Sequence, residues 1–257
     1  DATLHQAWQL LGASIYNSPK EKTQQGTHES LFCARPGLDV WKASAWAESK
    51  DYYNPKDVME AARLMLSVAD KFKENSNFEY DLVDVLRQAV AEKGRLVLKA
   101  VAAAYRAGEK ELFEQASQRF LNLILLQDEL LGTRQEFRVG NWTEMARNIG
   151  HTSEEKNLYE WNARVQITTW GNRSASERGK LHDYAHKEWN GILKDFYYMR
   201  WKTYFDALTA TLNGSLVPVL DWYAIEEPWT KVSDTYKPQP EGDCIEVARK
   251  VYTAVFE

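Results

Sequence analysis

The stretch Phe78-Glu79-Tyr80-Asp81-Leu82-Val83-Asp84-Val85-Leu86-Arg87-Gln88-Ala89-Val90 decides the fold class. Phe78, Leu82, Val85, Leu86 and Ala89 recur at steps of three and four residues, so they line one face of a helix. Asp81, Asp84, Arg87 and Gln88 share another face. The apolar series continues through Val97, Val101 and Ala104. Gly108 closes it, a residue that ends helices because it tolerates the left-handed conformation.

The same signals repeat on both sides. Asn54-Pro55 reads as an N-cap and first helical position, with Asp57 at the third. The stripe Val58, Ala61, Ala62, Met65, Val68, Ala69, Phe72 follows. Downstream, Leu112, Ala116, Phe120, Leu123, Leu126 and Leu130 lead to Gly132. Asn141-Trp142-Thr143-Glu144 has the form of a capping box for a short helix ending at Gly150. Thr152 with Glu155 has the same form and carries Leu158, Trp161 and Val165 down to Trp170. Further helices are expected from about Leu181, from Phe196 to Leu212, from Asp221 to Lys231 and from Asp243 to Phe256.

At the start, Leu4, Ala7, Trp8, Leu11 and Ile15 form a stripe ending near Pro19. From Lys20 to Tyr53 the periodicity is lost, although Trp41 and Trp46 favour an ordered, packed loop. An alternating pattern appears only weakly at Val165 to Thr169. The expectation is an all-α chain, residues 1–257 as one domain. It is an irregular bundle of roughly nine or ten mostly antiparallel helices, with one long ordered loop near the N-terminus.

Composition agrees. Seven Pro and thirteen Gly among 257 residues are few, and a net charge of -5 without a Lys/Arg-rich block disfavours nucleic acid as a partner. No apolar run approaches the roughly 18 residues of a membrane span. Cys33 and Cys244 lie in no metal or redox motif and read as two packed thiols or one long-range disulfide. Asp1 runs directly into an apolar helix, so the chain is expected to be a piece of a longer protein.

The chemistry concentrates in Leu158-Tyr159-Glu160-Trp161-Asn162-Ala163-Arg164-Val165-Gln166-Ile167-Thr168-Thr169-Trp170-Gly171 and, past a polar loop, Leu181-His182-Asp183-Tyr184-Ala185. A Trp at a helix-ending Gly, beside amide and charged groups, suits a sugar. The ring covers the C–H face and the polar groups read the hydroxyls. His182 and His186 have the i, i+4 spacing of zinc ligands on a helix, but the acid between them is Asp and no third ligand follows. A pair at a helix start, with Asp183 favouring the helix dipole, is the plainer account. Asp81, Asp84 and Arg87 likewise read as an ion-pair network before a glycosidase carboxylate pair. Most of the aromatics in the second half, among Trp161, Trp189, Trp201, Trp222, Trp229, Tyr197, Tyr198 and Tyr204, are expected to be core from their helical spacing. Trp170 is the exception. Asn141, Asn172 and Asn213 stand in Asn-x-Ser/Thr sites, a signal only where the source glycosylates.

These segments resemble the C-terminal helical region of the α-N-acetylglucosaminidases, glycoside hydrolase family 89. Ala7-Trp8-Gln9-Leu10-Leu11, Arg35-Pro36, the 78–90 helix, Leu131-Gly132, Tyr159-Glu160, Trp170-Gly171, Asp183-Tyr184-Ala185, Arg200-Trp201 and Gly242-Asp243 carry the resemblance over essentially the whole chain. It implies a larger enzyme with an N-terminal α/β domain and a catalytic barrel, hydrolysing terminal α-linked N-acetylglucosamine with retention. The two catalytic Glu residues would lie on the barrel, so this chain is expected to hold no catalytic residue and to be inactive alone. Trp170 is then the expected substrate contact, with Leu181 lining the same pocket. Arg164, Asp183 and Tyr184 would hold the intervening loop through bonds to its backbone. No cofactor or metal is implied. The implied partners are an N-acetylglucosamine-terminated glycan and the barrel of the same polypeptide, and the implied location is secreted, periplasmic or lysosomal. The competing reading is a free-standing carbohydrate-binding or interaction module, motivated by the aromatic-rich second half.

Overall fold

A computed structural model describes residues 1–17, 30–40, 52–216 and 219–257. Among them are nine α-helices: α1 Ala2–Ala13, α2 Pro55–Ser67, α3 Ser76–Ala107, α4 Lys110–Leu131, α5 Val139–Arg147, α6 Ser153–Gln166, α7 Tyr198–Leu212, α8 Trp222–Lys231 and α9 Cys244–Phe256. No strand occurs among the described residues. The chain is all-α, as its periodicity demands. The loop expected from Lys20 to Tyr53 lies largely outside the described residues, Trp41 and Trp46 included.

Helix limits follow from capping chemistry. Asn54 Oδ1 accepts from the Lys56 N–H at 3.1 Å, directly ahead of Pro55. Thr152 and Glu155 form the reciprocal capping box of α6. Gly108 closes α3 at φ 73°, in the left-handed region, and α4 begins two residues later. Two long helices joined that tightly must fold back on each other, and α3 and α4 share the largest helix–helix contact of the bundle.

Two expected helix starts are corrected. α5 begins at Val139, so Asn141 lies inside its first turn and is not its cap. The Val139 N–H donates instead to the carbonyl of Asn190 at 3.1 Å, and Asn190 N–H to Phe137 at 2.7 Å. A tertiary carbonyl replaces the capping side chain, which no local pattern reveals. The helix expected from Leu181 does not form. His182 to Ala185 make a turn, with Asp183 at φ 60° and His186 at φ 32°. His182 and His186 therefore share no helix face, and the zinc-like spacing loses its geometric basis.

The core is one continuous cluster from Ala7 in α1 to Val255 in α9. α3 runs through it, against α2, α4 and α9. The helical turn Leu31–Cys33 is inserted into this core. All three side chains are buried, and the Phe32 ring occupies the space where a Cβ on Gly94 of α3 would fall, 2.6 Å away. Trp201 of α7 donates its indole N–H to the Phe32 carbonyl at 3.0 Å. Burying Leu31 and Phe32 contributes about 1.5–3 kcal/mol each, which offsets ordering a short non-helical segment. The insertion also sets Arg35 beside Glu226 of α8. Cys33 and Cys244 are buried free thiols.

Candidate functional site

The site grows from the C-terminus of α6. Thr168 donates its hydroxyl to the Arg164 carbonyl at 2.7 Å, and the Trp170 N–H returns to the Val165 carbonyl at 2.7 Å. That second bond requires Trp170 at φ 61°, which a bulky L-residue adopts only under constraint. Ile167, Thr168 and Thr169 are buried, whereas Trp170 is 39% exposed. The chain has turned its indole out of the core.

The segment 171–180 then leaves and returns. Asn172 caps a short π-helical turn, Ser174–Arg178, by accepting from the Ala175 N–H at 3.0 Å. Leu181 N–H donates to Ala175 at 3.3 Å, and His182 Nδ1 lies 2.9 Å from the Ser176 carbonyl. Asp183 N–H donates to the Thr168 carbonyl at 3.1 Å, closing the base of the loop. Tyr184 consequently stands beside Trp170, ring centroids 4.9 Å apart at 55°. Both rings are partly exposed, and Leu181 is half-buried where the loop returns.

Beneath the loop runs a line of alternating charge. Arg200 of α7 holds the Asp183 carboxylate through two contacts of 2.7 and 2.8 Å. Its Nε lies 3.5 Å from Glu226 of α8. Arg35 grips Glu226 at 3.0 and 2.8 Å, and with its remaining N–H groups grips Glu177 of the loop at 3.0 and 2.7 Å. The order Glu177, Arg35, Glu226, Arg200, Asp183 places each interior charge between two opposite ones. Glu226 and Asp183, both about 1% exposed, thereby have hydrogen-bonded cationic partners where water cannot reach them. Arg35, through hydrogen bonding above all, pulls the Glu177 carboxyl below the usual glutamate range. The two acids of this segment, Glu177 and Asp183, are thus engaged by arginines.

Arg164 acts elsewhere than expected. It is fully buried, and its guanidinium turns away from the 171–180 loop. It pairs with Glu160 at 2.7 Å, donates to Thr235 Oγ1 at 2.8 Å and the Trp229 carbonyl at 3.3 Å, and lies over the Trp229 and Tyr236 rings. It fastens α6 to α8 and the connection after it. Asp183 does meet the loop base, through its own N–H, while its carboxylate reaches inward to Arg200. Tyr184 meets it through the indole of Trp170.

Arg87 bridges Asp84 and Glu188, and Glu188 also accepts from Gln127. That is an ion-pair network between α3 and the chain before α7. Burial and the neighbouring Asp84 raise the Asp81 carboxyl. Of the aromatics expected in the core, Tyr197 and Trp201 are fully buried and Trp229 nearly so, whereas Trp161 is 42% exposed. Sequence reasoning had not assigned Arg35, Glu177 and Glu226 to the site. Arg35 lies 142 and 191 positions from its two partners, beyond any local pattern.

Residues 1–254 match the family model described as the alpha-N-acetylglucosaminidase (NAGLU) C-terminal domain. The chain belongs to this family. Human alpha-N-acetylglucosaminidase is 31% identical over 97% of this chain, which spans 33% of that relative. A family 89 glycoside hydrolase from Clostridium perfringens, in complex with its substrate GlcNAc-alpha-1,4-galactose, matches with a TM-score of 0.92 at 33% identity. The match covers 97% of this chain and 29% of that one. The Clostridium perfringens family 89 enzyme in complex with 2-acetamido-1,2-dideoxynojirmycin matches at 0.93 with 32% identity, over 99% and 30% of the respective chains. The chain therefore spans about a third of the length of the glycosidases it matches. Among the described residues, no helix of this alpha-N-acetylglucosaminidase domain is long and apolar enough to cross a membrane.

Proposed function

We propose that this domain works as the non-catalytic wall of an α-N-acetylglucosaminidase pocket, packed against the catalytic barrel of the same polypeptide. The observation that carries the reading is the Trp170 indole. It is held outward at a positive φ, edged by Tyr184, on a loop whose base is closed by hydrogen bonds. An aromatic face fixed in that way suits the C–H side of an N-acetylglucosamine ring, with Leu181 extending the apolar surface. The substrate is a terminal α-linked N-acetylglucosamine of a glycan, consistent with the GlcNAc-containing ligand of the Clostridium perfringens relative.

In this reading neither Glu177 nor Asp183 serves as the catalytic acid. Retention needs a nucleophile and an acid/base about 5–5.5 Å apart, the acid protonated near neutral pH. Glu177 is clasped by Arg35 and held ionised, and Asp183 is buried against Arg200. Glu177 is therefore unsuited to donate a proton to a leaving group. The barrel would supply both glutamates.

Two measurements test this. The 257-residue chain alone should not turn over an aryl α-N-acetylglucosaminide, and measurable turnover would sink the wall reading. In the full-length enzyme, Trp170→Ala should raise KM for that substrate about tenfold, the equivalent of about 1.4 kcal/mol. An unchanged KM would remove Trp170 from the pocket.

A further inference from the structure

The line of alternating charge has both of its ends in one short segment. Glu177 belongs to the 171–180 loop and Asp183 to the turn behind it. Arg35, Glu226 and Arg200 belong to the body of the bundle. The segment so anchored is the one that separates Trp170 from Tyr184. We propose that this five-membered chain is a positioning device for the Trp170–Tyr184 pair, and that Arg35 and Glu177 set how tightly a sugar is held. The inference rests on the pocket-wall reading given above.

Three observations support it. First, Trp170 and Asp183 are both left-handed, at φ 61° and 60°. Non-glycine residues persist there where their surroundings over-determine them. The Asp183 N–H reaches the carbonyl of Thr168, two residues before Trp170, so the pull of Arg200 on Asp183 is transmitted to the base of the Trp170 turn.

Second, the other end is clamped in a way that fixes orientation as well as distance. One planar guanidinium grips two carboxylates by its two edges, with Ser176 Oγ at 3.3 Å as a further acceptor. A fork–fork contact of this kind resists rotation, which a single lysine ammonium does not. The His182 and Leu181 bonds to Ser176 and Ala175 carry that constraint across to the Asp183 turn.

Third, Glu177 is not the sole partner of Arg35. Arg35 remains paired with buried Glu226 without it, and more than a third of the Glu177 side chain is exposed. An acid kept there, on a segment outside the nine α-helices, fits loop placement better than core stability.

The test is a double-mutant cycle in the full-length enzyme with an aryl α-N-acetylglucosaminide, using Glu177→Ala, Trp170→Ala and the pair. Glu177→Ala should raise KM about fivefold to tenfold while kcat stays within about threefold and the thermal midpoint is unchanged. Adding Glu177→Ala to Trp170→Ala should do nothing further, because a residue acting through Trp170 has nothing left to position. Glu177→Gln, which keeps one acceptor for Arg35, should recover part of the loss. Should Trp170→Ala raise KM while Glu177→Ala leaves it unchanged, the positioning role is wrong and the wall reading stands. Multiplying effects, or a KM change accompanied by a lower midpoint, would also overturn it. An unchanged KM in Trp170→Ala would overturn both.

Discussion

Arg200 and Asp183 meet fork to fork inside the molecule, with contacts of 2.7 and 2.8 Å and neither side chain more than 1% exposed. The pair explains why a sequence with a helix-like start at Leu181 forms a turn instead. The Asp183 carboxylate reaches inward to a buried guanidinium instead of standing at a helix end, and the backbone takes φ 60°.

Breaking that pair on one side should be costly. Arg200→Met keeps the volume but leaves Asp183 buried without its cation, and should destabilise by about 3–5 kcal/mol. Arg200→Met combined with Asp183→Asn should be more stable than Arg200→Met alone. Urea unfolding measures both, and a loss below about 1 kcal/mol in the single variant would refute the account.

Two tryptophans should respond in opposite ways. Trp201 is fully buried, donates to the Phe32 carbonyl and packs on Phe120 at 4.5 Å. Trp201→Ala should cost about 3–5 kcal/mol. Trp170→Ala should cost under about 1 kcal/mol, and Trp170→Gly should be at least as stable as Trp170→Ala because glycine accepts φ 61° without strain. Thermal unfolding of the three variants decides the ranking.

Asp128 gives a pH signature. Its carboxylate accepts from the N–H groups of Gly191 and Lys194 at 2.6 and 3.1 Å and from Asn190 at 2.8 Å. Burial outweighs these donors and pushes it up to about 6. An unfolded aspartate titrates near 3.9. The folded state thus binds this proton more tightly, so the group's contribution to stability is fully present below about pH 4 and is lost as pH rises through about 6. The stability difference between the wild type and Asp128→Asn should therefore change between pH 7 and pH 5 in favour of the wild type. Parallel curves across that range would exclude the shift.

The two thiols should be silent in the native protein. Cys33 is fully buried, and burial raises its thiol well above the usual range. Cys244 is nearly buried and pushed up to about 11, again chiefly by burial. A thiol-specific chromogenic reagent at pH 8 should label neither until denaturant is added, since the thiolate is the reactive form. Rapid labelling of either in the folded protein would contradict the packing.

Much of the fold was legible because helices are local. The stripe from Phe78 to Ala104, the Asn54-Pro55 start, the Thr152–Glu155 capping box and the Gly108 stop each depend on residues within a few positions of one another. Their geometry follows from a period of 3.6 and from satisfying the first and last backbone groups. The failures were of the opposite kind. α5 starts at Val139 because the carbonyl of Asn190 serves its first N–H, and the Leu181 helix is missing because Arg200 draws Asp183 inward.

By itself, then, the sequence determined the helical class and most of the helix limits, and it singled out Trp170, which is 39% exposed, although it gave no sign that Trp161 is exposed as well. Tertiary structure decided what surrounds the Trp170 indole. Arg35, Glu226 and Arg200 are scattered along the chain and have no periodic signature. They converge because the Leu31–Cys33 turn is buried beside Gly94 and Trp201, and buried charges must then find partners in space rather than in sequence.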